Sequence, residues 1–531
     1  MSKKTKLIAT LMAMCLVISL GVIGILAVKT LNMKIGGNIT FNAEGIAFTV
    51  GEGKFYEDDA TTIYTGISSQ TGKMQGFSMD TDTKLTDVSE AIATWTELEL
   101  GLDNRGDAIL KFNVSNDMSD KEIYLIFEIS FDDNVNDNMV ITTELFQEIP
   151  AGEDKDIEIT FDIIDMELNA GLENFLIDVT VIDKVEVDPT TGAVTNQTST
   201  ALTNSLYKVV DATNNKASAE MVSEDISGNL VIASHVYIGG ERHTVTELPF
   251  AAFAECGITS LYVPGTIQTW GDAAFCENHY LTRLILGEGL TSIGDAAFDT
   301  SVVSGKVVIP STVTHIYENA FAYGACFYLE LGENVEYIGE NAFSEVVIGE
   351  LILPSKVKTI EIHAFSACNF TKIYIPKRVT SIGESAFGYM NRNLQSIVVE
   401  QGNTKYHVSG NCLIETATYT LIAGCKNSVI PTDGSVKIIG KYSFSWSAIK
   451  TVTIPASVTR IEEYAFYDCN NLEKIIIEAT TPPTLVVSAG SQSNPFEGTN
   501  DCPIYVPTAS LSAYKSASVW VKISDRIFAI A

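Results

Sequence analysis

Basic residues are scarce: 34 Lys and Arg stand against 66 Asp and Glu in 531 residues, a net charge of -32. Phosphate binding needs clustered cations that release counterions, so nucleic acid is excluded as a partner. Catalytic signatures are also missing. There is no G-x-S-x-G, no H-E-x-x-H, no G-x-x-x-x-G-K-[ST] and no G-x-G-x-x-G opening a helix, so neither an enzyme nor a bound cofactor is expected. The nine cysteines contain no C-x-x-C, which removes redox motifs and zinc knuckles. Histidine is sparse, and none of the six lies three to five residues from another. Repeat geometry brings His315 and His363 into nearby coils, but surface positions are expected for both.

Apolar and β-forming residues are plentiful. Hydrophobic residues make up 46% of the chain and charged ones 19%, with Val, Ile, Thr, Tyr and Phe abundant, which favours strands over helices. The length exceeds one hydrophobic core and allows several domains or a domain with a repeat array. The acidic excess is uneven. Lys29 to Lys184 holds 32 acidic and 10 basic residues, a segment that stays soluble and repels like-charged surfaces.

The chain opens MSKKTK and runs apolar from Leu7 to Val28, long enough to cross a bilayer at roughly 1.5 Å per residue. Lys3, Lys4 and Lys6 hold the start in the cytoplasm and send the rest outside. Residues 1–28 are therefore a transmembrane signal anchor, or a signal peptide cut after Ala27 with bulky Ile25 two residues upstream. The anchored form sits on the extracellular face of a bacterial plasma membrane; the cut form is secreted.

From 32 to 184 the text alternates with the strand period, as in ITFNAEGIAFTV, ILKFNVSN and DIEITFDII, with turn formers between. Such short strands predict an acidic antiparallel β-sandwich. Within it, Asp132–Asn138 (DDNVNDN) spaces oxygen ligands as a hard cation prefers, but lacks the turn glycine and distal glutamate of a calcium loop. A solvated acidic turn without metal is expected. Residues 185–204, rich in Thr and Asn, read as a flexible or extended linker and the domain boundary.

Beyond Ser205 the sequence repeats. Phe253, Phe275, Phe298, Phe321, Phe343, Phe365 and Phe387 are spaced 22 or 23 residues apart; a gap of 57 leads to Phe444, and 22 more to Phe466. Each unit has a strand ending in Pro or Gly, a second apolar pair, then the Phe turn. Neither strand buries its inner face alone, so stacked coils must share one core. Leu261, Leu284, Val307 and their equivalents to Ile475, with Val263, Leu286, Ile309 and theirs to Ile477, form two inward aliphatic columns. The outward columns form the exposed face of a parallel sheet. The long gap holds a β-hairpin insertion, with Cys412 and Cys425 flanking it as the best candidates for pairing. Cys256, Cys368 and Cys469 each follow a repeat Phe by three residues and read as buried filler. Residues 229–248 read as the N-terminal cap, and the end as a strand and short helix.

IYIPKRVTSIGESAFGYM and VTIPASVTRIEEYAFYDCNNL resemble the BspA-type leucine-rich repeats of bacterial surface proteins, in which strand-IP, V-x-x-I-G-x-x-A-F and C-x-x-L recur. The resemblance implies a mainly β chain in which the sandwich precedes a leucine-rich-repeat parallel solenoid over 205–531. It further implies cell-surface adhesion or host interaction with an extracellular protein or glycan, besides the membrane contact of the apolar start. Candidate ligand contacts on the outward columns are Tyr262, Ile285, Tyr328, Ile352, Tyr374 and Val398. A structural component of a cell-surface or biofilm layer is the alternative.

Overall fold

Alternating apolar runs become strands because only a pleated sheet puts every second side chain on one face. In the computed structural model, strands Lys29–Asn32, Ile39–Ala43, Ile46–Val50, Lys54–Tyr56 and Phe77–Ser78 are described in the first hundred residues. From Ala108 on, the description covers everything except 132–138, 143, 164–174, 197–201, 203–204, 221–225, 304–305, 325–327, 347, 349–350, 389–391, 488–493 and 531. The apolar run Leu7–Val28 and the acidic turn Asp132–Asn138 lie outside the described residues. Among those residues no helix is long and apolar enough to cross a membrane.

Two compact units make up the chain. One is the described part of Met1–Thr269 with Tyr280–Glu288 and Ser304–Lys306; the other is Trp270–His279, Gly289–Val303 and Val307–Ala531. The division falls inside the repeats and not at the expected linker. Within 185–204, Glu186–Val187 pairs in parallel with His235–Ile238, and Val185 and Val187 are buried. Asn196 accepts from the Glu186 amide at 2.7 Å and donates to the Lys184 carbonyl at 3.0 Å. The polar residues that suggested flexibility thus satisfy local backbone groups.

The first unit begins with the expected antiparallel sheets. Phe175–Ile182 and Ile123–Phe131 are central in one; Ala108–Asn116 and Asp154–Ile163 are paired in the other. Ile123 through Phe127 are buried at every position instead of alternately, which marks a strand covered on both faces. The cap is a hairpin of His235–Ile238 and Glu241–Leu248. Beside it Ser227–Val231, Gly257–Val263 and Arg283–Leu286 form a parallel sheet, with Leu230, Leu261 and Leu284 in register.

The second unit is a stack of coils. Its inner strands are two-residue pairs such as Ser292–Ile293, His315–Ile316, Tyr337–Ile338, Thr359–Ile360 and Ser381–Ile382, all parallel. Between them the repeat phenylalanines stack face to face, with centroids 5.5 Å apart for Phe275–Phe298, 5.1 Å for Phe298–Phe321, and 5.4 Å for both Phe321–Phe343 and Phe343–Phe365. Each buried ring contributes roughly 1.5–3 kcal/mol relative to exposure. Among the described residues, those two before and two after the repeat rings, such as Ala296 and Thr300 or Tyr442 and Trp446, are left-handed with φ of 49 to 63°. That conformation costs non-glycine residues about 1–2 kcal/mol each. Rungs between successive turns offset it: the Ala296, Phe298 and Thr300 amides donate to the carbonyls of Glu318, Ala320 and Ala322 at 2.7–2.8 Å.

The insertion has one more strand than expected. Tyr406–Ser409 and Cys412–Glu415 form the hairpin, while Thr420–Ala423 pairs back on it and runs parallel to Ile438–Ile439, joining the inner sheet. At the end, Ile504–Val506 precedes a short helix, Leu511–Ser516. A further strand, Ile527–Ala529, returns parallel to Ile504–Val506. Trp520 and Tyr514 close the core by donating to the carbonyls of Pro483 at 2.8 Å and Ala479 at 2.7 Å.

Candidate functional site

The candidate residues sit on the outer strands of both units, and burial separates them. Ile352 is 69% exposed and Tyr374 39%; these neighbours pair in register on Leu351–Ile352 and Lys372–Ile375, and Val398 follows, half-buried, on Ser396–Val399. Tyr328 lies in the strand Tyr328–Glu330. Tyr262 and Ile285, expected on the same open face, are buried at 3% and 5%. Within the first unit the sandwich strand Met139–Thr142 lies against Arg283–Leu286, and Glu144 reaches the Glu288 backbone. Burial, reinforced by the Glu144 carboxylate, drives the Tyr262 phenol well above its ordinary range. Burial likewise lowers Arg283 to about 9.

A second polar assembly in the first unit has no counterpart in the sequence reading. Arg242 bridges two carboxylates, with Nη2 donating to Glu148 at 2.6 Å and Nε facing Glu122 at 3.1 Å. Tyr237 and Tyr124 donate to the same Glu122 oxygen at 2.6 and 3.0 Å, and His235 Nδ1 lies 3.1 Å from Glu148. Burial pushes both acids toward protonation. For Glu122 the hydrogen bonds from Tyr237, its own backbone and Tyr124 together with the Arg242 charge outweigh it, and for Glu148 the bond and charge of His235 together with Arg242 do, so both end below the usual carboxylate range. Residues 122–148 come from the sandwich and 235–242 from the cap, a separation that no local pattern discloses.

The histidines stay apart: His315 packs on Tyr317 and Tyr337, and His363 on Tyr442. Among the described residues no three His, Cys, Asp or Glu gather as metal ligands. Cys412 and Cys425, the best candidates for pairing, are both free and buried. Ser428 lies between them, with Oγ 3.5 Å from Cys425 Sγ, and burial pushes the Cys412 thiol to about 12. Cys256, Cys368 and Cys469 are buried as expected.

Sequence reasoning also missed the turn face of the second unit. Tyr442 and Tyr464 stack at 5.0 Å, Tyr467 meets Tyr464 edge-on at 5.5 Å, and the Arg392 guanidinium lies 4.3 Å from the Trp446 ring centroid. The detectable signal was the residue two before each Phe, which changes from Ala273 and Ala296 to Tyr442 and Tyr464.

The family model described as "BspA type Leucine rich repeat region" matches six copies over residues 241–330, 325–422 and 414–484. That stretch is similar to BspA-type leucine-rich repeats. No curated protein is significantly similar to the chain. Among solved structures, a leucine rich cell surface protein from Faecalibacterium prausnitzii A2-165 is similar at 21% identity and TM-score 0.46, covering 62% of this chain and 93% of that one. The pneumococcal vaccine antigen PcpA is similar at 18% identity and TM-score 0.38, covering 64% and 99%. A leucine-rich repeat protein from Bacteroides ovatus ATCC 8483 has 19% identity and TM-score 0.30, covering 62% and 98%. In these repeats the outer strand of each coil carries the candidate face, and the Phe turn carries the aromatic cluster.

Proposed function

We propose that this chain is a bacterial cell-surface or secreted protein that binds an extracellular protein or glycan through the outer sheet of its leucine-rich-repeat array. The supporting observation is the unequal burial of one column: Ile352 and Tyr374 are open, whereas Tyr262 and Ile285 at equivalent positions are buried, Ile285 on the strand that meets the sandwich strand Met139–Thr142 and Tyr262 near Glu144. A face that already buries apolar side chains against a β segment of its own chain is suited to bury others against a ligand. The test is capture from host mucus and serum by the full chain and by Ile352→Asp and Tyr374→Ser. The reading predicts a specific bound component lost from both variants while melting is unchanged. Equal capture by the variants would refute it.

Assembly into a surface layer is the second reading. It draws support from Ile527–Ala529, which pairs on one side only among the described residues, beside exposed Phe528 and Ile530. Size-exclusion chromatography distinguishes the two readings, because a scaffold grows with concentration and a receptor stays discrete.

A further inference from the structure

The turn face of the second unit changes character along the chain. The residue two before the Phe is Ala273 or Ala296 in early coils and Tyr442 or Tyr464 in late ones; the residue two after is Glu277 or Thr300 early and Trp446 or Asp468 late. All of them are left-handed, so the exchange does not relieve the backbone, where a bulky ring is tolerated no better than alanine. The core does not require it either. The Phe ladder beneath resumes after the insertion, with Phe444–Phe466 centroids at 5.1 Å, and Tyr442, Trp446, Tyr464 and Tyr467 are only half-buried.

Charge indicates what this cluster takes. The whole chain carries -32, but residues 389–531 hold eleven Lys and Arg and eleven Asp and Glu, so an anion meets least repulsion here. Arg392 is exposed and rests on the Trp446 indole, and among the described residues no carboxylate pairs with it. A guanidinium over an aromatic ring leaves its N–H groups available for a carboxylate. Lys441, beside Tyr442, is already engaged by Glu384 at 3.2 Å and Glu463 at 3.7 Å. One available guanidinium does not match nucleic acid, which carries a charge about every 1.7 Å and needs several cations at once. It does match a polymer with sparse carboxylates, whose C–H faces and hydroxyls fit half-exposed phenol and indole rings.

We propose that the turn face around Arg392, Trp446, Tyr442, Tyr464 and Tyr467 is a second binding surface, separate from the outer sheet, for a carboxylate-bearing polysaccharide. The test is affinity electrophoresis of the full chain in gels containing polygalacturonate, uncharged dextran or double-stranded DNA, at about 0.15 M salt. Retardation is expected with polygalacturonate, weakened at least tenfold by Arg392→Gln and by Trp446→Ala, and unchanged by Ile352→Asp on the sheet face. No retardation by polygalacturonate, equal retardation by dextran or DNA, or full retention in Arg392→Gln would overturn the proposal. Arg392 is exposed, so its variant decides the matter even if Trp446→Ala fails to fold.

Discussion

Gly424 lies against the ring of Phe444 so closely that a Cβ at position 424 would stand 2.0 Å from Phe444 Cε1. The coil made by the insertion has no Phe of its own, and bare backbone fills the slot where the next ring would stack. Its amide completes the rung by donating to the Ser443 carbonyl at 2.7 Å. Gly424→Ala should therefore act as an overpacked core substitution and destabilise the second unit by about 1–3 kcal/mol or more. Denaturant unfolding should show the loss as a lower midpoint, and an unchanged midpoint would mean that the ring moves aside freely.

The middle of the ladder should respond differently. Phe343 is buried and stacks at 5.4 Å on both Phe321 and Phe365, so Phe343→Ala should cost about 3–5 kcal/mol. Coils in a repeat array depend on their nearest neighbours. Hydrogen exchange should accelerate first at the rung amides of Phe321 and Phe343, which donate to Ala342 and Ala364, and later toward Trp520. Uniform acceleration throughout the unit would contradict this local picture.

The Arg242 assembly makes the first unit sensitive to acid. Glu122 and Glu148 have folded pKa values below the ordinary glutamate value of 4.5. Their stabilisation is thus complete above that value and is lost as pH falls below it. Glu144 and Asp183 are raised by burial and act in the opposite sense, since protonation relieves them. A difference between variants isolates the clamp: Glu148→Gln should be less stable than wild type at pH 7 and converge with it in acid. Arg242 is partly exposed, so Arg242→Ala should cost only about 1–2 kcal/mol. A constant gap between Glu148→Gln and wild type across the titration would contradict the assigned shift.

The buried thiols should be inert in the native state. Burial raises Cys412 and Cys469 to about 12 and Cys425 in the same direction, so little thiolate exists near pH 8. Iodoacetamide at that pH should leave these three unmodified in the folded protein and alkylate them after denaturation. Native labelling of Cys412 would show that the hairpin opens.

The solenoid was legible in the sequence because its core repeats in register: each coil must supply an aliphatic pair and a Phe to its neighbours, so Leu261 or Phe343 discloses its place by spacing alone. The strand character of the sandwich was legible from alternation. What remained hidden depends on contacts between distant segments. Val187 sits in a polar stretch and is buried only because His235–Ile238 lies beside it. Phe496 stacks on Phe466 at 5.5 Å but follows it by 30 residues, outside the repeat spacing. The absence of a Phe partner at Gly424 left only a gap in the count. Tyr262 and Ile352 occupy one pattern position, and nothing in either repeat records that the sandwich covers the first.

That last contrast gives the sharpest test of the outer face. Ile285 and Ile352 share a column, a residue type and a strand position, yet one is 5% exposed and the other 69%. Lysine at 352 has open water beside it and should change stability by no more than about 0.5 kcal/mol. Lysine at 285 would place an ammonium against Met139–Thr142, with cost set by desolvating the charge or expelling the strand, about 2–4 kcal/mol. Comparing the two melting curves separates a covered from an open column. Equal effects would mean that the sandwich does not hold its place on the first outer strands, and Tyr262 and Ile285 would rejoin the candidate binding face.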